Sequence, residues 1–444
     1  MKIKIIVISS MLSLFGAFAF AEEPVKKTKA LPTAAGDGLT LPPKVMRARL
    51  VGSSTLGNTK SFDKDGEEVS TGMTLKATGG AFVLEYGVLK HLSLQLVQKY
   101  VESATWELDE SKFQSSTVYS AKAAENLNYL KPKLAAIIAN DQNLSQERAT
   151  QIVEDFVSNN TSIKDIFSQL GITEASQANT VLKAQGVTLS SGEDVPVEKY
   201  WEDSLSDAVK SLVTSGAKGS STDFRLGDLE VGALYSIFNN ENEILDGKLH
   251  FSVGLGLRFP VGESLTPRAI LPAGGGTIDL GFRTNLDYYP MDHLVLSWQN
   301  QAEVMLKEGK VRETSLLDNT KFVDSSLEKG EELSNKKTGL ANIGFVKMGW
   351  SMGMISPSLN SLGVSAYYHY AFDRDVEGLD VSSSSPIQTG GGHLHSWELM
   401  TNFNGLNFGV PVQLELSYKA PISGKNQTMT SDALAAQIKF FYRF

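Results

Sequence analysis

The sequence predicts an all-β transmembrane fold: an antiparallel up-and-down barrel of about twelve strands (12–14) with an α-helical loop insertion. Three observations predict it. Segments of about ten residues alternate apolar with polar positions along most of the chain. The connections between them alternate short and long. No stretch after residue 21 reaches the roughly 18–20 consecutive apolar residues that a membrane helix needs.

The first element is an export signal. Lys2 and Lys4 precede an apolar run from Ile5 to Phe20 that closes on Ala19-Phe20-Ala21, so residues 1–21 read as a signal peptide cleaved after Ala21. Losing Lys2 and Lys4 takes the formal charge from −9 to −11. An acidic exported chain is a poor nucleic-acid partner. It has no cysteine, so it must hold together without disulfides, as a large closed sheet can. Residues 22–43, rich in Lys, Pro and Gly, read as a flexible periplasmic arm.

The strands follow in order. Alternation marks 44–54, 80–89, 91–102, 224–238, 247–260, 276–289, 292–306, 338–353, 360–373, 393–404, 407–419 and 431–444. Leu249, Phe251, Val253, Leu255, Leu257 and Phe259 share one face while His250, Ser252, Gly254, Gly256 and Arg258 share the other. A soluble sandwich also alternates, but seldom needs strands this long. The short connections, such as "YYPMDH" and "FNGLN", carry turn residues. The long ones cover 55–79, 103–223, 261–275, 307–337, 374–392 and 420–430, the asymmetry of periplasmic turns against external loops. Residues 68–78 could add part of an extra hairpin. The barrel is thus expected over 44–103 and 223–444.

Residues 104–222 read as a helical insertion in an external loop. Ser145 caps a run in which Ala149, Ile152, Val153, Phe156 and Val157 keep helical spacing. Ile163, Ile166, Phe167 and Leu170 repeat it before Gly171, and Thr173 starts a third helix that Gly186 ends. With an upstream helix broken at Pro132 and another after Glu198, four to six short helices are expected.

At the C-terminus Ile438, Phe440, Tyr442 and Phe444 occupy alternate positions. This ending resembles the assembly signal of Gram-negative outer-membrane barrels, which implies outer-membrane lipid and the barrel-assembly machinery as partners. "LPPKVMRARL", "FRLGDLEVGALYSIF", "LGLRFPVG" and "GGGTIDLGF" are similar to the hairpin pattern of the fatty-acid and aromatic-hydrocarbon transporter superfamily. That resemblance implies a passive transporter or pore for a small, hydrophobic solute in the outer membrane. A second reading makes the barrel an anchor whose helical insertion binds a protein partner.

Candidate site residues come from the polar faces. Asp228, Glu230, His250, Arg258, Asp279, Arg283, Asp287, Glu303, Glu398, Glu415, Lys439 and Arg443 are expected to line the lumen. Their bland role is to pair across strands on a wet wall; their sharper role is to set a constriction. Acidic residues outnumber basic ones among them, which favours cations or neutral solutes over anions. Tyr288, Tyr289, Trp298, Trp350, Tyr368, Tyr370, Trp397, Tyr418, Tyr442 and Phe444 suit interfacial girdles. His393 and His395 share the face of Trp397 and Leu399, which suits an outer-leaflet position better than a metal site. Ser396 beside them raises a lipase reading, but it points the other way from His395, so catalysis would need a hydroxyl from a neighbouring strand. "PAGGGTID" lacks the Lys and helix of a phosphate loop. No catalytic residue, cofactor or metal ligand set is assigned.

Overall fold

A computed structural model describes residues 40–63, 65–189, 193–216, 221–239, 244–262, 277–307, 309–310, 322–324, 334–338, 340–372, 375–379, 386–389 and 392–444. The expected signal peptide and residues 22–39 of the expected arm lie outside them. Twelve long strands form one antiparallel sheet: β1 (Val45–Phe62), β2 (Met73–Leu89), β3 (Leu92–Leu108), β4 (Arg225–Phe238), β5 (Leu249–Phe259), β6 (Ile278–Met291), β7 (Leu294–Lys307), β8 (Ala341–Ser351), β9 (Leu362–Phe372), β10 (His393–Asn404), β11 (Val412–Lys425) and β12 (Gln427–Arg443). Each pairs with the next, and β1 pairs with both β2 and β12. The sheet therefore closes and leaves no long edge unpaired.

Closure separates two faces. Leu94, Val231, Leu255, Phe282, Leu296, Val346, Met348, Leu399, Leu416 and Leu434 stand exposed on the outside. No protein layer covers them among the described residues, and a continuous apolar face of this extent belongs in hydrocarbon. No described helix is long and apolar enough to cross a membrane, so the strands are what cross.

Two expected loops turn out to be mostly strand. β1 runs on to Phe62 and β2 begins at Met73, so 55–79 is largely a continued hairpin and 68–78 adds no extra barrel strand. Likewise β11 and β12 meet at Asn426, whose φ of 51° suits the left-handed region that Asn tolerates.

On the lipid-facing side two tyrosines lie across glycines. Tyr100 on β3 sits opposite Gly80 on β2 and donates its hydroxyl to the Val51 carbonyl on β1 at 3.3 Å. Tyr370 on β9 repeats the arrangement: it crosses Gly344 on β8 and donates to Asn300 Oδ1 on β7 at 2.8 Å, while Trp298 Nε1–H donates to the Tyr370 oxygen at 3.1 Å. A ring that spans a glycine shields bare backbone and satisfies its own hydroxyl, which hydrocarbon could not do. A Cβ at Gly344 would run into the Tyr370 ring and the Gln299 carbonyl. Gly344→Ala is therefore expected to cost about 1–3 kcal/mol and lower the temperature at which the folded barrel loses its fast migration on an unboiled gel. Gly281→Ala, whose Cβ would meet nothing closer than 3.8 Å, should leave that temperature unchanged.

Between β3 and β4 lie six helices: α1 (Glu110–Gln114), α2 (Thr117–Gln142), α3 (Gln146–Ser158), α4 (Ile163–Ser168), α5 (Ala175–Ala184) and α6 (Leu205–Gly216). Side chains of Asp109, Ser116, Ser145 and Ser162 cap the first four. α5 is preceded by Glu174 rather than started by Thr173. The expected break at Pro132 does not occur, because α2 continues through it. Leu130, Leu134, Ala135, Ile137 and Ile138 on either side are buried, and that packing outweighs the cost of roughly 3 kcal/mol for an interior proline. Ile166, Phe167, Leu182, Val209 and Leu212 complete an apolar core.

A distant loop closes that core. Phe322–Asp324, from the β7–β8 connection, pairs antiparallel with Val187–Leu189 after α5. Phe322 is buried, stacks on Tyr129 with ring centroids 6.5 Å apart, and donates its backbone N–H to Asn126 Oδ1 at 2.9 Å.

Candidate functional site

The inner wall is built by strand parity. Residues that alternate with the exposed apolar set point inward, and cross-strand partners share a face, so each inward residue meets others from neighbouring strands. On β4 to β7 this gathers Glu230, Arg258, Asp279 and Glu303. The Arg258 guanidinium reaches Glu230 at 3.0 Å, Asp279 at 3.4 Å and Glu303 at 2.7 Å. Lys99 on β3 holds Glu230 from the other side at 2.6 Å. Five donors in a planar fork let one arginine serve three carboxylates at once.

The other expected residues divide into smaller groups. Arg283 donates to Asn285 Oδ1 at 3.0 Å and to Gln299 Oε1 at 2.5 Å. Glu398 pairs with His369 at 2.6 Å, and Glu415 with Lys439 at 2.7 Å. Asp228 is buried and accepts from the Gly262 N–H at 3.3 Å. Toward the short-turn end His250 and Asp287 are buried opposite each other, with the His250 ring tilted against Tyr289 at 4.9 Å between centroids. Arg443 is exposed at the end of β12. Ile438, Phe440, Tyr442 and Phe444 share the outer face, where Phe444 meets Tyr442 edge-on at 4.6 Å and Tyr86 at 6.2 Å.

Tyr289 is a correction to the expected girdle. It shares parity with Asp287 and packs inward, almost fully buried, whereas Tyr288 keeps the outward position.

Several inward groups were missing from the expected set. Arg47 and Arg49 on β1 both pair with Glu85 on β2, Arg49 at 2.9 Å, and Gln95 on β3 donates to the same carboxylate at 3.1 Å. Lys347 lies 5.5 Å from the Tyr367 ring centroid, and Lys419 faces Glu398 across the β10–β11 ladder. The alternation of "VMRARL" and "FVLEYGVL" carried the signal for the first group. With Lys99, these positions add five cations and one carboxylate to the wall, which removes the acidic excess expected from the sequence.

Between the Arg258 and Glu85 groups the wall is bare. Gly232, Gly254, Gly256 and Gly281 are neighbours on the inward face of β4, β5 and β6. With Val83, Val97 and Leu234 they border a cavity of about 260 Å³. Leu41 also borders it: it is buried, and its N–H donates to Ser93 Oγ at 2.8 Å. The last residues of the expected arm are thus packed on the inner wall. Among the described residues no group of three or more His, Asp or Glu is placed to hold a metal ion.

No family model matches the chain, and no curated protein does. Solved structures align with it at low identity. An outer-membrane channel from Pseudomonas putida F1 aligns over 92% of this chain and 99% of its own, at 9% identity and a TM-score of 0.49. The toluene transporter TodX of P. putida aligns over 90% and 91%, at 11% identity and 0.35, and the toluene transporter TbuX of Ralstonia pickettii over 94% and 92%, at 8% and 0.31. These are likenesses of overall form between distant chains.

On the outer face, His393 and His395 stand with Trp397 and Leu399, while Ser396 is buried on the inner face. The hydroxyl a lipase reading requires exists on a neighbouring strand: Ser423 is the ladder partner of His395. No hydrogen bond joins them among the described residues, and Tyr368 occupies His395 Nδ1 at 2.8 Å, where a triad would place a carboxylate or amide.

Proposed function

We propose that the chain is an outer-membrane barrel that passes a small solute by passive diffusion, its short turns periplasmic and its long connections external. The observation that carries this reading is the glycine strip. An interior serving only as an anchor is filled by its own side chains, whereas here four adjacent inward positions carry none and front open space. Around the strip the charges are paired with one another, so the path presents a balanced wall and favours an uncharged solute, including an apolar one. Lipid and the barrel-assembly machinery, which would read the alternating C-terminal aromatics, are the implied partners. The helical insertion sits at the external end as part of the entrance.

The absence of cysteine makes the test clean. Gly281→Cys, folded and inserted in planar bilayers, should conduct as the parent does and lose conductance on addition of a charged thiol reagent. Leu255→Cys, on the outer face of β5, should not respond. Folded barrels that give no conductance steps would favour the anchor reading, in which the insertion binds a surface partner.

A further inference from the structure

We propose that the outer rim of β9 to β11 binds the phosphate of an outer-leaflet lipid headgroup through His393, His395 and Lys425, an inference that rests on the membrane placement above. The height fits. β9 rises ten residue steps from Leu362 to Phe372, which at about 3.3 Å per residue and a tilt near 40° is roughly 25 Å, the height of an apolar barrel band. His393 is the ladder partner of Phe372, so it stands at the upper border. Lys425 is the partner of His393 on the other side and is exposed, which puts the cation on the same outward face.

Among the described residues Lys425 makes no ion pair and His393 no hydrogen bond; the His393 ring contacts only rings, Phe372 at 6.0 Å and His395 at 5.2 Å. Tyr368 stacks on His395 at 5.7 Å and bonds its Nδ1. That contact takes up Nδ1 and leaves Nε2, which is a donor when the Tyr368 hydroxyl donates to Nδ1. On β12, Asp432 accepts from the Tyr418 hydroxyl at 2.7 Å. Below the donors Trp397, Tyr418 and Leu399 offer an aromatic and apolar wall for an acyl chain. One fixed cation, two imidazole donors and a greasy foot match a phosphorylated lipid better than a soluble anion.

The test uses the full chain folded in detergent containing equal phosphatidic acid and phosphatidylcholine, with retained lipids counted by native mass spectrometry. The parent should retain phosphatidic acid about tenfold over phosphatidylcholine, the equivalent of one charge-assisted contact. Changing His393, His395 and Lys425 to Ala should abolish that preference, and millimolar inorganic phosphate should leave it intact in the parent. Equal retention by the folded parent, a preference that survives the triple change, or displacement by inorganic phosphate each overturns the proposal. Should the triple variant fail to fold, Lys425→Gln alone and His393→Gln with His395→Gln give the same readout. Failure of the parent to stay folded in detergent would instead refute the membrane reading itself.

Discussion

Arg258→Ala is expected to destabilise the barrel by about 3–5 kcal/mol and to make its conductance cation-selective. The guanidinium is shared by Glu230, Asp279 and Glu303, and the side chains of Asp279 and Glu303 are each only 6% exposed. Removing the cation leaves three carboxylates to face one another in a confined space, where like charges cost more than in water. Lys99 still answers Glu230, so the excess falls mainly on the other two. Arg258→Lys should fall between the two, since it keeps the charge and loses the fork. Zero-current potentials across a salt gradient and the unfolding temperature on gels measure this. An Arg258→Ala barrel with parental selectivity would place the solute path away from this cluster.

The strands were legible because hydrocarbon imposes alternation. Where a strand has lipid on one side and water on the other, its residues sort by parity, and His250 to Arg258 against Leu249 to Phe259 on β5 can be read directly. Beyond the membrane both faces are wet, the sorting stops, and "SSTLGNTKSF" at the end of β1 looks like loop although it is strand. The same rule, applied without exception, would have turned Tyr289 inward; the expectation that aromatics gather at interfaces displaced it. Arg47, Arg49 and Glu85 were equally readable from parity. What parity cannot give is which inward residues meet. The reach of Arg258 across β6 to Glu303 on β7 depends on register and stagger set by the whole barrel.

The insertion illustrates a second limit. Its helices follow from caps and periodicity, yet the residue that closes their core lies more than a hundred positions away in a segment with no periodic signal. Pro132 misled for a related reason: local cost is visible in sequence, whereas the packing that outweighs it is not. Helical propensity at such a site is a weak prior that tertiary burial overrides.

Phe322→Ala should therefore loosen the insertion selectively, by about 3–5 kcal/mol, without altering the barrel. The phenylalanine is 3% exposed within the helical core, and its removal takes away a stacked ring on Tyr129 and the anchor of the Val187–Leu189 pairing. Asn126→Ala, which leaves the Phe322 N–H without its acceptor, should cost about 1–3 kcal/mol. The two losses should not add, because undocking the loop makes the asparagine irrelevant. Hydrogen exchange resolved by peptide should show α2 and α5 losing protection while β1 to β12 keep theirs. If instead the helices exchange as in the parent, the loop merely rests on a core that is complete without it. On the proposed reading of the barrel as a pore, an insertion tied to both the β3–β4 and β7–β8 connections steadies the entrance, so freeing it at Phe322 should widen the spread of conductance levels in single channels, while Arg258→Ala changes their selectivity.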